Sequence, residues 1–235
     1  MISDGCTSHE GDARSGPAPG VVPGPNFTYR GGANLYINLT SRCSAGCVFC
    51  LRGFTREVYG YDLSLAVDQE PEAADVIAAL ELEFLDLAPE EVVFTGLGEP
   101  TLRFDVILAV TEWLGTRRLR VRLDTNGHAA LLNPGRDVVA ELVAAGLAAV
   151  SVSMNAHDEV TYDQVCMPVF SKAYRVVLRF MRECVDAGIE VTATVVDVPE
   201  VDVEGAAAVA DDIGAAFRVR RLVQSGKTAL RGAAR

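Results

Sequence analysis

Lysine is almost missing from this chain. Of its 21 basic residues only Lys172 and Lys227 are lysine, and 32 acidic side chains bring the net charge to -11. That balance argues against a general nucleic-acid-binding surface, which needs a basic face, and leaves room only for a local basic groove. A salt-rich cytoplasm and a GC-rich genome explain the composition equally well. No apolar run approaches the ~20 residues that span a bilayer. The N-terminus also lacks a charged-then-apolar signal pattern, so the expectation is a cytoplasmic protein. Histidine is scarce: His9, His128 and His157 stand alone, with no H-x3-H pair and no second C-x2-C. Six cysteines are too few and too unevenly placed for a disulfide framework in a chain this long.

What is present is apolar bulk with a regular beat. Hydrophobic residues make up 49% of 235 positions, enough for one ordinary domain or one α/β barrel. Residues 1–32 are the exception, rich in Gly, Pro, Ser and acid, and read as a flexible N-terminal arm that carries Cys6. From residue 33, β-branched runs at 34–39, 91–95, 119–125, 148–153, 189–196 and 217–223 predict strands. Helical patterns fall between them at 71–87, 104–115, 136–146, 171–187 and 203–214, with Gly146 and Gly188 closing two of these. A repeat of roughly 30 residues is the βαβ signature and implies parallel strands. Six such strands make an open sheet or an incomplete (β/α)6 barrel over 33–223, followed by a short tail, 224–235. In either form the functional groups belong on loops after the strands' C-terminal ends.

The chemistry-bearing residues sit at those loops. Cys43, Cys47 and Cys50 follow the first strand in C-x3-C-x2-C spacing, with Phe49 as packing or as a wall for a flat ligand. Three thiolates can face one metal centre, yet a structural zinc site is closed by four ligands. An iron–sulfur cubane on three cysteines keeps one iron free for another ligand. Gly96-Leu-Gly98-Glu99-Pro100 leaves the second strand, and its glycines let a ligand approach the backbone. Glu99 either favours the positive end of a helix or holds a ligand's ammonium group. Asp124-Thr-Asn126-Gly127 ends the third strand, as a tight turn or as a ligand contact, because a carboxylate there needs a partner. Ser151, Ser153 and Asn155 end the fourth. Cys166 lies beyond them on the same rim, as a buried apolar-like residue or as a site thiol. Cys184 reads as core. Arg52 and Arg56 offer cations for an anionic substrate or for surface ion pairs.

These motifs resemble the radical S-adenosylmethionine (radical SAM) superfamily. The likeness rests on Cys43-x3-Cys47-x2-Cys50 with Phe49, on Gly98-Glu99-Pro100, and on the order of elements from about 33 to 223. Asn34 to Cys43, and Ser153-Met-Asn-Ala with Tyr162 and Cys166-Met-Pro168, are similar to the TatD-associated radical SAM subgroup. Asp124-Thr-Asn-Gly127 looks like the third-strand motif of glycyl-radical activating enzymes. The resemblance implies a [4Fe–4S] cluster on the three cysteines and S-adenosylmethionine (SAM) on its open iron. It also implies hydrogen-atom abstraction from a peptide, protein or smaller substrate, and an electron donor such as flavodoxin or ferredoxin. Gly96 to Glu99 would line the methionine part, with Glu99 at its ammonium. Asp124, Ser151, Ser153 and Asn155 would contact the rest of SAM. A non-enzymatic metal-binding or redox module is the alternative.

Overall fold

The computed structural model describes residues 20–223. Cys6 and the tail 224–235 lie outside them. The chain begins with β1 (Thr28–Gly31) and β2 (Asn34–Asn38), a short antiparallel pair. A minor hairpin follows, β3 (Glu57–Val58) and β4 (Tyr61–Asp62). The repeat then runs α1 (Ala73–Glu83), β5 (Val92–Thr95), α2 (Phe104–Gly115), β6 (Val121–Thr125), α3 (Ala129–Leu132), α4 (Val138–Ala145) and β7 (Ala149–Ser153). It ends with α5 (Glu159–Cys166), α6 (Ala173–Asp186), β8 (Glu190–Asp197), α7 (Val203–Ile213) and β9 (Ala216–Arg221).

The large sheet has the order β1-β2-β5-β6-β7-β8-β9, parallel from β2 onward. It is the incomplete parallel barrel that the sequence pattern predicts. One correction applies to the arm. Composition reads all of 1–32 as a flexible arm, yet Thr28–Gly31 forms an edge strand and Tyr29 is 2% exposed. The Thr-Tyr-Arg run supplies β-formers that the surrounding Gly and Pro conceal. A second difference is α5, whose weak apolar pattern hid a helix between Ser153 and the predicted one at 171–187. Asp158 caps it, its carboxylate accepting from Thr161 N at 2.7 Å.

Residue alternation explains how the sheet presents two chemistries. Leu35, Ile37, Val92, Phe94, Leu123, Val150, Val152, Ala193 and Val195 share the face that the helices cover, and all are buried. The register places Tyr36, Asn38, Thr95, Arg122, Asp124, Ser151, Ser153, Thr194, Arg218 and Arg220 on the opposite, inner face. A sheet buried on both faces reads as continuous hydrophobic runs. Here most inner positions are polar, with Val93, Ala149 and Val196 as apolar exceptions, as in a barrel whose interior receives a ligand. Near the β1 edge that interior is lined by tyrosines: Tyr29 stacks on Tyr36 at 5.1 Å, and Tyr36 on Tyr59 at 5.7 Å.

Candidate functional site

The cysteine loop leaves β2 and is pinned from three sides. Gly46 N and Val48 N donate to Cys166 O (3.0 Å) and Val165 O (2.9 Å), and Val169 N donates back to Ser44 O at 3.0 Å. The end of α5 therefore pairs with the loop almost as a strand would. Arg52 donates to Ser41 O at 2.7 Å and Ala45 O at 3.3 Å, and also reaches the Cys50 thiol. Its guanidinium thus braces the loop from within, a use that neither sequence reading of Arg52 anticipates. From the third side, the Gly96–Glu99 loop presses on the same segment, with Glu99 N donating to Arg42 O at 2.8 Å.

That last contact is possible because residue 98 has no side chain. A Cβ there would stand 2.3 Å from Thr40 O and 2.4 Å from Arg42 O. Gly96 has φ 141°, and its Cβ would stand 2.4 Å from Asn38 Oδ1. Both glycines are needed for a backbone fit between two loops.

Glu99 is 2% exposed and is held inside the protein. One oxygen accepts from Thr101 N (3.1 Å), Thr101 Oγ1 (2.6 Å) and Thr125 Oγ1 (2.7 Å), and the other from Asn126 N (2.7 Å). Burial raises its carboxyl above the ordinary value, and these donors act against that rise. The side chain therefore ties the β5 loop to the β6 loop. With most acceptor positions occupied, one lone pair on the oxygen facing Asn126 remains for an outside donor.

Asn126 continues the connection. Its amide donates to Ser44 Oγ at 3.0 Å and points at Cys43 Sγ at 3.7 Å. Ser44 then meets His128 Nδ1 at 2.8 Å, and His128 Nε2 meets Tyr162 OH at 2.8 Å. His128 and Tyr162 are wholly buried. Burial pushes the imidazole pKa down to about 4, so the ring is neutral at neutral pH. The chain of contacts from Cys43 to Tyr162 is one that sequence reasoning missed. Cys43, Asn126 and Tyr162 each stand in a motif and His128 on the expected rim, but no local pattern links these separate segments to one another.

The three cysteines are half-buried and unpaired. Cys47 and Cys50 line an open pocket of about 630 Å³ together with Gly46, Val48, Arg52, Gly53 and Phe54. Burial lifts the Cys43 thiol to about 11. The Cys47 thiol is lowered, first by a hydrogen bond from Cys166. Cys166 is 1% exposed and is raised by the same contact, and Asn155 hydrogen-bonds to it. It combines both sequence readings, a buried packing residue and a thiol beside the triplet. Phe49 is half-buried and packs one side against the core. No three His, Cys, Asp or Glu side chains among the described residues converge on a single ion. The donor set is instead three thiols spread over one loop, with Arg52 and backbone amides to stabilise their charged form. That chemistry suits a sulfur-ligated polynuclear group.

Asp124 lies on the inner face and pairs with Arg122, which also holds Glu91 at 2.7 Å. Burial raises its carboxyl, and Arg122, Arg218 and Arg220 act against the rise. Ser151 is buried beside it and accepts from Arg218 at 3.3 Å. Ser153 closes the strand and Asn155 follows it, at φ 56°. Two buried oxygens at this rim have no donor, Asn38 Oδ1 and Asn155 Oδ1. Each lies at or just beyond the C-terminal end of a strand, where a ligand's ammonium or hydroxyl would satisfy it. His157, by contrast, serves the start of α7, its Nδ1 accepting from Asp202 N at 3.2 Å.

A sequence model of the radical SAM superfamily matches residues 37–213. The chain belongs to the radical SAM superfamily. That superfamily uses a [4Fe–4S] cluster and SAM. Among solved structures, the chain is similar to SuiB of Streptococcus suis bound to S-adenosylmethionine, at TM-score 0.63 and 15% identity. That likeness covers 83% of this chain and 41% of SuiB. It is also similar to TYW1 with a lysine–pyruvate adduct bound (TM-score 0.58, 14% identity, 83% of this chain and 67% of that one). A third likeness is to a radical SAM methyltransferase from Sphaerobacter thermophilus, at TM-score 0.52 and 14% identity, covering 83% and 68%. At these identities the likeness is one of fold. The chain spans about two-fifths of SuiB's length. No curated protein sequence matches it. No helix among the described residues is long and apolar enough to cross a membrane.

Proposed function

We propose that this protein is a radical SAM enzyme that cleaves SAM reductively and removes a hydrogen atom from a substrate bound within the barrel. The observation that carries the reading is the position of the cysteine triplet. It opens at the C-terminal rim of a sheet whose inner face is polar and whose rim holds two unsatisfied acceptors, Asn38 Oδ1 and Asn155 Oδ1. Cys43, Cys47 and Cys50 would hold the cluster. When bound, the cluster and SAM together supply the electron and the carbon radical that the protein's own side chains lack.

The chain's own residues place and shield that chemistry. Arg52 and the amide of Asn126 direct positive charge at the thiolates, which favours their ionised form. Gly96 and Gly98 bring backbone against the cysteine loop, and Glu99 fixes the spacing between the β5 and β6 loops. Asn38 and Asn155 offer acceptors for an ammonium or hydroxyl group. Asp124, Asn126, Ser151 and Ser153 complete the polar inner wall. Cys166 positions Cys47 through its thiol. The tyrosines near β1 exclude water from one side of the interior.

The third-strand motif Asp124-Thr-Asn-Gly127 favours peptide or protein substrates, including glycyl-radical activation, over small molecules. A flavodoxin or ferredoxin is the fitting electron donor, and the cytoplasm the fitting compartment. The test is anaerobic reconstitution. About four irons per chain and 5′-deoxyadenosine released with dithionite and SAM support the reading. Retention of that cleavage by Cys47→Ala refutes the ligand assignment. A colourless, zinc-loaded protein without SAM affinity favours the alternative, a non-enzymatic metal-binding or redox module.

A further inference from the structure

The inner face carries two guanidinium groups with no carboxylate of their own. Arg218 and Arg220 alternate along β9, so both point to the inner side, about 7 Å apart along the strand. Every other arginine on this face is closed: Arg122 is held by Glu91 at 2.7 Å and by Asp124. Among the described residues no carboxylate lies within 4.0 Å of Arg218 or Arg220. Arg218 meets only the Ser151 hydroxyl, at 3.3 Å. Arg220 is reached by solvent yet surrounded by protein, as the wall of an open channel would be. Its environment lowers its pKa, first through burial and then through the like charge of Arg218, although Asp124 acts against this. Two guanidinium groups left without a carboxylate stand out in a chain of net charge -11 that has carboxylates to spare.

We propose that Arg218 and Arg220 form an oxyanion site, and that the substrate enters the barrel with a carboxylate or phosphate group directed at β9. Guanidinium forks match both anions with paired, charge-assisted hydrogen bonds. Placement supports a substrate anchor. Arg218 reaches across to Ser151 on β7, the strand that leads into Asn155, so a ligand held on β9 lies beside that rim. The stacked tyrosines by β1 form the far wall. A ligand anchored on β9 therefore crosses the interior between an aromatic side and a cationic one. A local basic groove is also the one positive feature that the acidic composition leaves open.

This inference rests on the proposed function, because it takes the barrel interior as the substrate side. Inward charges on an edge strand have a second use, which is to discourage pairing with another chain's strand. The SAM carboxylate is a third possible owner. Titration calorimetry on the full chain, reconstituted with its cluster, separates these. The probes are inorganic phosphate, succinate and SAM, each with wild type, Arg218→Gln, Arg220→Gln and the double variant. The expected result is that phosphate or succinate binds wild type. Each single change then weakens that probe about ten-fold, while SAM affinity stays within about two-fold. Which probe binds distinguishes a phosphate-bearing from a carboxylate-bearing substrate.

Three results would overturn the assignment. Neither anion binds wild type; or SAM affinity falls in step with the anion; or the variants bind anions normally and instead self-associate. Iron content and 5′-deoxyadenosine release, read on the same samples, report separately on the proposed function. Their loss with intact anion binding sinks that function and leaves the arginine site standing.

Discussion

Replacing Gly98 with alanine should drive the two loops of the site apart. The new Cβ would sit 2.3 Å from Thr40 O and 2.4 Å from Arg42 O, where ordinary contact begins at 3.4 Å. Both obstacles are backbone carbonyls, so no side chain can swing away, and the loops must separate by roughly 1 Å. That movement stretches the bond from Glu99 N to Arg42 O, now 2.8 Å, beyond useful length. A lost buried hydrogen bond costs about 1 kcal/mol, and overpacking a tight contact costs about 1–3 kcal/mol. The sum is about 2–4 kcal/mol, or a Tm lower by roughly 5–15 °C in a chain of this size. Arg42 precedes Cys43, so cluster loading should fall as well. Urea unfolding measures the first effect, and iron content after anaerobic reconstitution the second. Gly53→Ala is the control, since its Cβ would meet nothing within 4 Å. A Gly98→Ala protein as stable and as iron-rich as Gly53→Ala would refute the packing argument.

Three further outcomes follow from the same geometry. His128 has its pKa lowered to about 4, so protons favour the unfolded chain. Stability is complete above about pH 6.5 and is lost as pH falls toward about 4, by about 3 kcal/mol. The imidazole proton shift in NMR should show no titration above about pH 5, and a midpoint near 6.5 would contradict the burial argument. Tyr162→Phe deletes the hydroxyl that meets His128 Nε2 and should cost about 1–2 kcal/mol in urea unfolding. An unchanged midpoint would show that the contact contributes nothing. Asp158→Ala removes the cap of α5 and should lower stability by about 1 kcal/mol, measured in the same way.

Much of the site was legible because its motifs are local. The C-x3-C-x2-C spacing, the glycines at 96 and 98, and Asp124 all lie where a strand ends, and strands announce themselves by Val, Ile and Phe. Five helices lie inside the predicted ranges, since their apolar faces repeat and residues such as Gly146 close them in a left-handed turn at φ 89°. What escaped is what chain distance hides. The Thr28–Gly31 strand was masked by its Gly and Pro surroundings. Glu99 shows the limit most clearly. Its setting in Gly-Glu-Pro suggests a helix-end acid or a group offered to a ligand, and only folding adds Thr125 and Asn126 as internal donors while leaving one lone pair open.

The sequence by itself determined the parallel α/β order, the thiol triplet and the rim on which it sits, because each depends on residues within a few positions of one another. Only the tertiary structure decided what surrounds the triplet. Cys166 comes beside Cys47 because α5 ends against the cysteine loop. Asn126, Ser44, His128 and Tyr162 join in one chain because the loop after β6 meets both α5 and the cysteine loop. Arg218 and Arg220 face the interior because β9 pairs in that register with β8. Those contacts form between segments tens of residues apart, and it is the sheet's register, which no local pattern encodes, that brings them together.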